Sequence, residues 1–271
     1  MASVSSKKAR PVSLGAAVRH DEICAELATS GRISIAELTE RLGVTSVTIR
    51  EDLKYLEENG LLVRTRGGAL AKPEQRVESA LELTSMTNRA EKQAIARYSA
   101  SLVESGQTVM IDVGSTTTFL AQALSPDLSG VTVVTNGLNI ALSLEQAPGV
   151  SVIVTGGTLR SLQHSLVAPM GTLLLSKLKA DVAFIGCNGV DRERGFTNAN
   201  IAEAEIKQAM LNSADYCVFL ADHEKVGAVS SAFVADIGSA DLLVTDAGAD
   251  PEVLESLAGG GLETKVVDPV S

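Results

Sequence analysis

Cysteine is scarce in this chain of 271 residues. Cys24, Cys187 and Cys217 are the whole set, an odd number without C-x-x-C spacing, which argues for reduced thiols in a cytoplasm rather than a disulfide framework. They read as small packing residues. Histidine is equally rare, and His20, His164 and His223 are too scattered for ligand spacing, so no metal is expected. No apolar run approaches the length of a membrane span, and the patch at residues 12–18, broken by Ser13 and Gly15, is no signal-peptide core. The phosphate-binding strings G-x-x-x-x-G-K-S/T and G-x-G-x-x-G are absent, as are internal repeats and low-complexity tracts. No cofactor and no membrane partner are expected, and the location expected is cytoplasmic.

Positive charge is lacking overall: the net charge is −10. The deficit is uneven. Residues 1–72 hold 11 Lys+Arg against 9 Asp+Glu, whereas the remainder holds 12 against 24. The acidic part is therefore expected to stay off nucleic acid, leaving the N-terminal part free to approach it. What is present in quantity is apolar: 45% of residues are hydrophobic and the mean hydropathy is +0.19, enough for a substantial core in a chain long enough for two domains.

Ser34 followed by Glu37 has the spacing of a capping box, which satisfies two orphan backbone donors at a helix start. Ile35, Leu38 and Leu42 fall on one face of that helix, and Gly43 supplies the permissive backbone of a sharp turn. Thr45 or Ser46 caps the next helix, where Ile49, Leu53 and Leu56 recur at core spacing and leave Val47, Thr48, Arg50, Glu51, Lys54 and Tyr55 outward. Asn59-Gly60 ends it. Residues 61–68 then read as a strand and turn with Arg64 and Arg66 alternating on one side, suited to phosphate contact. This is the layout of a winged helix-turn-helix, with Ser46, Val47, Thr48, Arg50, Lys54, Arg64 and Arg66 as the candidate contacts to duplex DNA. The organisation expected is a flexible basic arm at 1–15, this DNA-binding domain at 16–71, a linker at 72–88 marked by Pro73, and a second domain at 89–271 that opens on a helix at 89–104.

In the second domain β-branched runs alternate with helical patterns. Strands are expected at 108–113, 131–135, 152–155, 182–186, 217–221, 242–245 and 265–267, with one of the intervening helices near 171–178. Strands buried on both faces between helices imply a parallel α/β sheet. Ligands of such sheets bind at the carboxyl ends of the strands, and polar groups recur there. Asp112 precedes Gly114, Ser115, Thr116 and Thr117, small residues and free N–H groups at a helix start that make a phosphate cradle. Asn136 follows the second strand; Gly156, Gly157 and Arg160 the third; Asn188 a later one; Asp222 and Lys225 another. Arg160 or Lys225 neutralising charge and Asp112 or Asp222 accepting hydroxyls would suit a phosphosugar. Glu203, Glu205 and Lys207 are open to two readings, a solvated helix face or groups that close the ligand site.

The ordered string Ser34-x-x-Glu37-Leu38, Gly43-Val44-Thr45, Thr48-Ile49-Arg50-x-Asp52-Leu53, Leu56-Glu57, Gly60 and Arg64-x-Arg66-Gly67-Gly68-Ala69 resembles the DeoR/GlpR family of bacterial transcriptional regulators. The segments Asp112-Val113-Gly114-Ser115-Thr116-Thr117, Val134-Thr135-Asn136, Gly156-Gly157-Thr158-Leu159-Arg160, Ala183-Phe184-Ile185-Gly186, Gly195-Phe196-Thr197 and Asp222-His223-Glu224-Lys225-Val226-Gly227 are similar to the C-terminal sensor domain of that family. The likeness departs at Glu51, where the family often has a second basic residue, and at Glu224 and Val226. It implies a sensor fold similar to ribose-5-phosphate isomerase, a phosphorylated sugar as effector, a homo-oligomer (dimer or tetramer), and regulation of carbohydrate metabolism genes, most often as a repressor. An isomerase-like enzyme fused to a DNA-binding domain is the alternative. It would need a carboxylate base, and the strand at 182–185 is followed by Gly186-Cys187-Asn188-Gly189 without paired acids, so no catalytic residue is expected. A constitutive architectural DNA-binding protein would have no use for the recurring polar strand ends.

Overall fold

The computed structural model describes residues 15–30, 32–58, 61–70 and 80–269. The chain divides into two compact units, Met1–Val77 and Glu78–Ser271. Residues 1–14 of the expected basic arm, Asn59 and Gly60, and residues 71–79 of the expected linker lie outside the described residues.

The first unit comprises α1 (Ala16–Ser30), β1 (Arg32–Ser34), α2 (Ile35–Leu42), α3 (Ser46–Glu58), β2 (Val63–Thr65) and β3 (Gly68–Leu70). Its core is built by the residues that helical spacing puts inward: Leu38 and Leu42 of α2 and Ile49, Leu53 and Leu56 of α3 close on Ile23 and Leu27 of α1, with Ile33, Leu62 and Ala69 beneath. The capping box is formed, Ser34 Oγ accepting from the Glu37 N–H at 3.1 Å and the Glu37 carboxylate accepting from the Ser34 N–H at 3.1 Å. Gly43 ends α2 at φ 65°, a left-handed conformation that glycine adopts without steric cost. Thr45 caps α3, its hydroxyl accepting from the Thr48 N–H at 3.2 Å. The strands form an antiparallel sheet in the order β1-β3-β2. Gly68 lies so close to β1 that a Cβ there would sit 1.9 Å from the Ile33 carbonyl oxygen, so the wing packs down only on a residue without a side chain.

In the second unit α4 (Leu81–Met86) and α5 (Arg89–Ala100) precede β4 (Thr108–Ile111), α6 (Ser115–Ala123), β5 (Val131–Thr135), α7 (Leu138–Leu144) and β6 (Val150–Val154). There follow β7 (Thr158–Arg160), β8 (Ser165–Val167), α8 (Met170–Leu175), β9 (Ala180–Gly186), β10 (Gly189–Asp191), β11 (Gly195–Asn198), α9 (Ile201–Asn212), β12 (Ala214–Leu220), β13 (Ala232–Ala235), β14 (Leu242–Asp246), α10 (Pro251–Gly259) and β15 (Glu263–Val267). Seven strands pair in parallel in the order β15-β14-β12-β9-β4-β5-β6. Alternation along the inner strands loads both faces. Val109, Ile111, Val182, Phe184, Val218, Leu220, Leu242 and Val244 join one core; Met110, Ala183, Ile185, Phe219 and Leu243 join the other. That two-sided burial is what makes the strands read as near-continuous apolar runs.

The strand order reverses between β4 and β9, which is the switch point where such sheets open a crevice at their carboxyl ends. Two additions were not anticipated: the antiparallel sheet β10-β11-β13 and the hairpin β7-β8. Their strands are three or four residues long, too short for alternation to register. Residues 81–86, expected as linker, form α4 instead, anchored by buried Leu81. Among the described residues no helix is long and apolar enough to cross a membrane.

Candidate functional site

The candidate functional side chains fall into two sets, one in each unit. In the first unit α3 turns Ile49, Leu53 and Leu56 inward, so Val47, Arg50, Glu51, Lys54 and Tyr55 stand exposed while Ser46 and Thr48 are half-buried. The N-terminal turn thus carries an exposed apolar group (Val47, 60% exposed), two hydroxyls and a guanidinium, groups that can meet a thymine methyl, base edges and phosphates in a major groove. One buried charge fixes this helix: Asp52 accepts from Arg19 Nε at 2.8 Å and Arg19 Nη2 at 2.9 Å, with His20 Nε2 also at 2.9 Å. Burial pushes the Asp52 carboxyl up, but the hydrogen bonds from Arg19 and His20 outweigh it and hold its pKa below the ordinary aspartate value. Arg19 is therefore a buried residue of α1 that ties α1 to α3.

In the wing, Arg64 lies in β2 and Arg66 in the two-residue turn that joins the Thr65–Gly68 pair. Both are exposed, but they do not alternate along one strand as expected. Arg64 has a local partner: its N–H donates to the Glu57 carboxylate at 3.0 Å and its guanidinium lies 3.7 Å from it.

In the second unit the cleft sits at the switch point. Gly114, Ser115, Thr116 and Thr117 line it after β4, Gly186, Cys187 and Asn188 after β9, and Asp222 and Lys225 after β12. Gly114 is the N-cap of α6, with φ 155° and no side-chain cap, so the first N–H groups of this helix are left for a ligand and carry the positive end of its dipole. Around them the site pairs charges. Lys207 donates to Asp112, the two being 3% and 0% exposed; Gly186 N–H donates to the same carboxylate at 3.1 Å. Lys92 Nζ lies 3.3 Å from Asp222. Arg160 donates to Glu203, which also accepts from Ser165 Oγ at 2.5 Å. Among the described residues Lys225 has no ion-pair partner, so three neutral pairs and one spare ammonium remain. Two acceptors, Asp112 Oδ1 and Asp222 Oδ1, are buried without a hydrogen-bond partner.

Burial works against the Lys207 ammonium, yet the neighbouring carboxylates of Asp112 and Glu203 outweigh it and raise its pKa above the ordinary lysine value. For Lys92 burial prevails over the attraction of Asp222, and its pKa is lowered. Burial pushes the Cys187 thiol up to about 12, which keeps it neutral and unreactive.

The sequence-derived set divides on this geometry. Gly114, Ser115, Thr116, Thr117, Asn188, Asp222 and Lys225 share the cleft. Asp112, Asn136, Gly156, Gly157 and Arg160 are not among its lining residues. Asn136 is wholly buried and holds the strand end in place, accepting from the Val113 N–H at 2.8 Å. Gly157 has φ +125° and would place a Cβ 2.0 Å from the Val167 carbonyl oxygen, so its glycine serves the hairpin. Arg160 is engaged with Glu203 and Asp112 with Lys207, supporting the cleft from behind. The Gly186-Cys187-Asn188-Gly189 turn carries no acid, and the carboxylates that line the cleft, Glu203 and Asp222, come from other elements. Each has a cation partner.

Lys92, Lys207, Glu203, Asn198, Gln163 and Thr84 line the cleft too and were missed or left open. A signal existed for the lysines. Lys92 shares the i, i+3, i+4, i+7 stripe of α5 with buried Ile95, Ala96 and Ser99. Glu203 and Lys207 lie on the stripe of α9 that contains buried Ile206 and Met210. A charge on an apolar stripe must have a partner, and that partner must come from elsewhere in the chain.

Comparison with known proteins agrees with both halves. Residues 19–75 match the DeoR-like helix-turn-helix domain and residues 87–247 match the DeoR C terminal sensor domain. The HTH-type transcriptional regulator GolR of Listeria innocua is 34% identical, over 92% of this chain and 98% of that protein. The glycerol-3-phosphate regulon repressor of Escherichia coli K12 is 30% identical, over 88% of this chain and 94% of that one. A solved ribose 5-phosphate isomerase A from Methanocaldococcus jannaschii has 16% identity and a TM-score of 0.39, covering 51% of this chain and 55% of that one. With a helix-turn-helix that presents Arg50 and Val47 outward, a parallel-sheet sensor unit behind it in sequence, and family matches to each, the chain belongs to the DeoR family of DNA-binding transcriptional regulators.

Proposed function

We propose that this chain is a cytoplasmic repressor of carbohydrate metabolism genes whose hold on its operator is set by a phosphorylated sugar in the cleft of the second unit. The DNA-reading part is assigned to residues 16–71, through Ser46, Val47, Thr48, Arg50, Lys54, Arg64 and Arg66, and the sensing part to residues 89–271. Two copies or four act together, because helix-turn-helix units read half-sites in symmetric pairs. The observation that carries the effector reading is the uncapped N-terminus of α6 facing a cleft in which Lys225 has no ion-pair partner among the described residues. A helix N-terminus and a spare ammonium favour a phosphate. The unpartnered Asp222 Oδ1 favours a hydroxyl donor beside it. A relative named for the glycerol-3-phosphate regulon is in keeping with this ligand class.

The reading is tested by titrating the full chain with matched pairs of free and phosphorylated sugars while following operator DNA by fluorescence anisotropy. Phosphorylated members are expected to shift the operator Kd, and Lys225→Ala to weaken their effect about tenfold, the worth of one charge-assisted hydrogen bond. Equal response to the free sugars, or an unchanged response in the variant, would sink it.

A further inference from the structure

Residues 80–88 are where the described chain resumes after residue 70, and they form part of the wall of the cleft, with Thr84 of α4 lining it. The two ends of α4 are tied to groups around that cleft. At its start the Leu81 N–H donates to the Leu162 carbonyl at 3.0 Å, and Glu82 pairs with His164 at 2.7 Å; Gln163, between those two partners, lines the cleft as well. At its end Lys92 Nζ donates to the carbonyls of Thr84 and Thr87, at 2.6 Å and 2.8 Å. The junction between α4 and α5 is Asn88, in the left-handed region at φ 50°, with a buried Nδ2 that has no hydrogen-bond partner. Asparagine tolerates that conformation better than most residues, so the chain turns sharply here between the two helices.

Lys92 is thus shared. An ammonium has three protons to donate; this one, 4% exposed, holds two carbonyls of the α4 segment and faces Asp222 in the cleft at 3.3 Å. Thr87 and Thr84 offer neutral acceptors, whereas a phosphate offers charged ones, and hydrogen bonds to charged acceptors are roughly twice as strong. An anion seated against the α6 N-terminus therefore competes with the two α4 carbonyls for the protons of this ammonium.

We propose that Lys92 is the positioning residue that converts occupancy of the cleft into a signal to the DNA-reading unit: an anionic ligand draws its ammonium off the Thr84 and Thr87 carbonyls, and α4 loosens about Asn88. Since α4 is the first described element after the residues that join the two units, its release changes the state that the helix-turn-helix experiences. The mechanism has the property that regulation requires, because the ligand binds the loosened state better than the fastened one and so shifts the balance between them. It rests on the effector reading given above, and the two fail separately.

The experiment is hydrogen exchange by mass spectrometry on the full chain with and without inorganic phosphate. Binding is expected to slow the amides of residues 115–117 and, in the opposite sense, to speed those of residues 84–87 about threefold or more. A cleft wall that merely closes on its ligand would slow both, and that result overturns the proposal, as does an unchanged α4. If residues 115–117 do not respond, the effector reading has failed, and the second arm judges Lys92 without any ligand. Lys92→Met should speed exchange across residues 84–87 and change operator Kd about fivefold or more, with exchange in β4 and β9 confirming that the sheet is intact. Lys92→Arg, which keeps the donors, should restore both. A loosened α4 with operator Kd within about twofold of the parent would show that α4 does not reach the DNA-reading unit.

Discussion

The two units handle charge in opposite ways. In the first, Arg50, Lys54, Arg64 and Arg66 stand in solvent, and the deeply buried ion pair among the described residues is architectural, Arg19 on Asp52. In the second, which carries 24 Asp+Glu against 12 Lys+Arg over residues 73–271, four cations gather in and behind one cleft with three carboxylates. The sign of a region's net charge therefore says what it repels at long range, while the local imbalance at a site says what it binds. A long polyanion is met by exposed side chains that desolvate only on contact. A small anion is met by groups whose desolvation was compensated during folding, which is why every buried cation in the cleft already has a carboxylate. Exposed charges should then matter to binding and little to stability, and buried ones the reverse.

The largest test of that contrast is Lys207→Met. It leaves Asp112 buried at 0% exposure without its ammonium, and breaking a buried pair by removing one partner typically costs about 3 to 5 kcal/mol. Urea unfolding of the full chain should show the loss in the transition of the second unit, and Asp112→Asn added to it should recover part. A loss below about 1 kcal/mol, the scale of an exposed pair, would mean that water already reaches the site and that the contrast is false.

Arg50→Ala should do the converse. If Arg50 reads a base, operator binding weakens by about 1 to 3 kcal/mol, while unfolding stability moves by no more than about 0.5 kcal/mol. Anisotropy on the operator and urea unfolding on the same preparation check both halves. A stability loss as large as the binding loss would place Arg50 among the architectural residues beside Arg19.

How much of this was legible in sequence follows the same division. The helix-turn-helix reads off one stretch because its parts are local: the Ser34 box, Gly43, and the 49, 53, 56 stripe each lie within a few residues. All seven strands of the parallel sheet were legible too: double burial writes the inner ones as apolar runs such as residues 131–135, seen at those bounds, and the half-exposed edge strands β6 and β15 show through their β-branched residues. The cleft was legible only in part. Partners 95 residues apart, Lys207 and Asp112, or on α5 and after β12, Lys92 and Asp222, are brought together by strand order, and nothing local encodes that order. Gly156, Gly157 and Arg160 were assigned to the ligand because a polar residue after a strand looks the same whether it faces a cleft or supports a hairpin.

Acid should separate the two units. Asp52 has a folded pKa below the ordinary value near 3.8, so the folded first unit binds this proton less readily than the unfolded chain does. Its contribution is present above the unfolded pKa and is lost as pH falls through the lower, folded one. The α3 amide resonances should lose dispersion as pH drops below about 4, the range of unperturbed aspartates. Asp52→Asn should be less stable at neutral pH and flatter over that range. A variant whose acid profile overlays the parent's would show that Arg19 and His20 do not hold Asp52 in its charged form.

The smallest effect expected is within the wing, and it sharpens the account of exposed charge. Arg64 and Arg66 are both exposed, yet Arg64 has the Glu57 carboxylate 3.7 Å from its guanidinium, and no ion pair to Arg66 is formed among the described residues. A phosphate approaching Arg64 meets a charge already partly compensated, whereas at Arg66 it meets the full charge at the tip of a hairpin turn. Each phosphate neutralised by a cation contributes about 0.9 to the slope of log K against log salt. Arg66→Ala should therefore lower the slope for any duplex by about 1, and Arg64→Ala by less. Glu57→Gln should move the other way, strengthening binding at low salt by freeing Arg64. Slopes measured between 50 and 200 mM salt, the range over which such contacts change affinity strongly, decide it. Equal losses for the two arginines, with no response to Glu57→Gln, would show that the Glu57 pair carries no weight at the DNA face and that exposure alone ranks these cations.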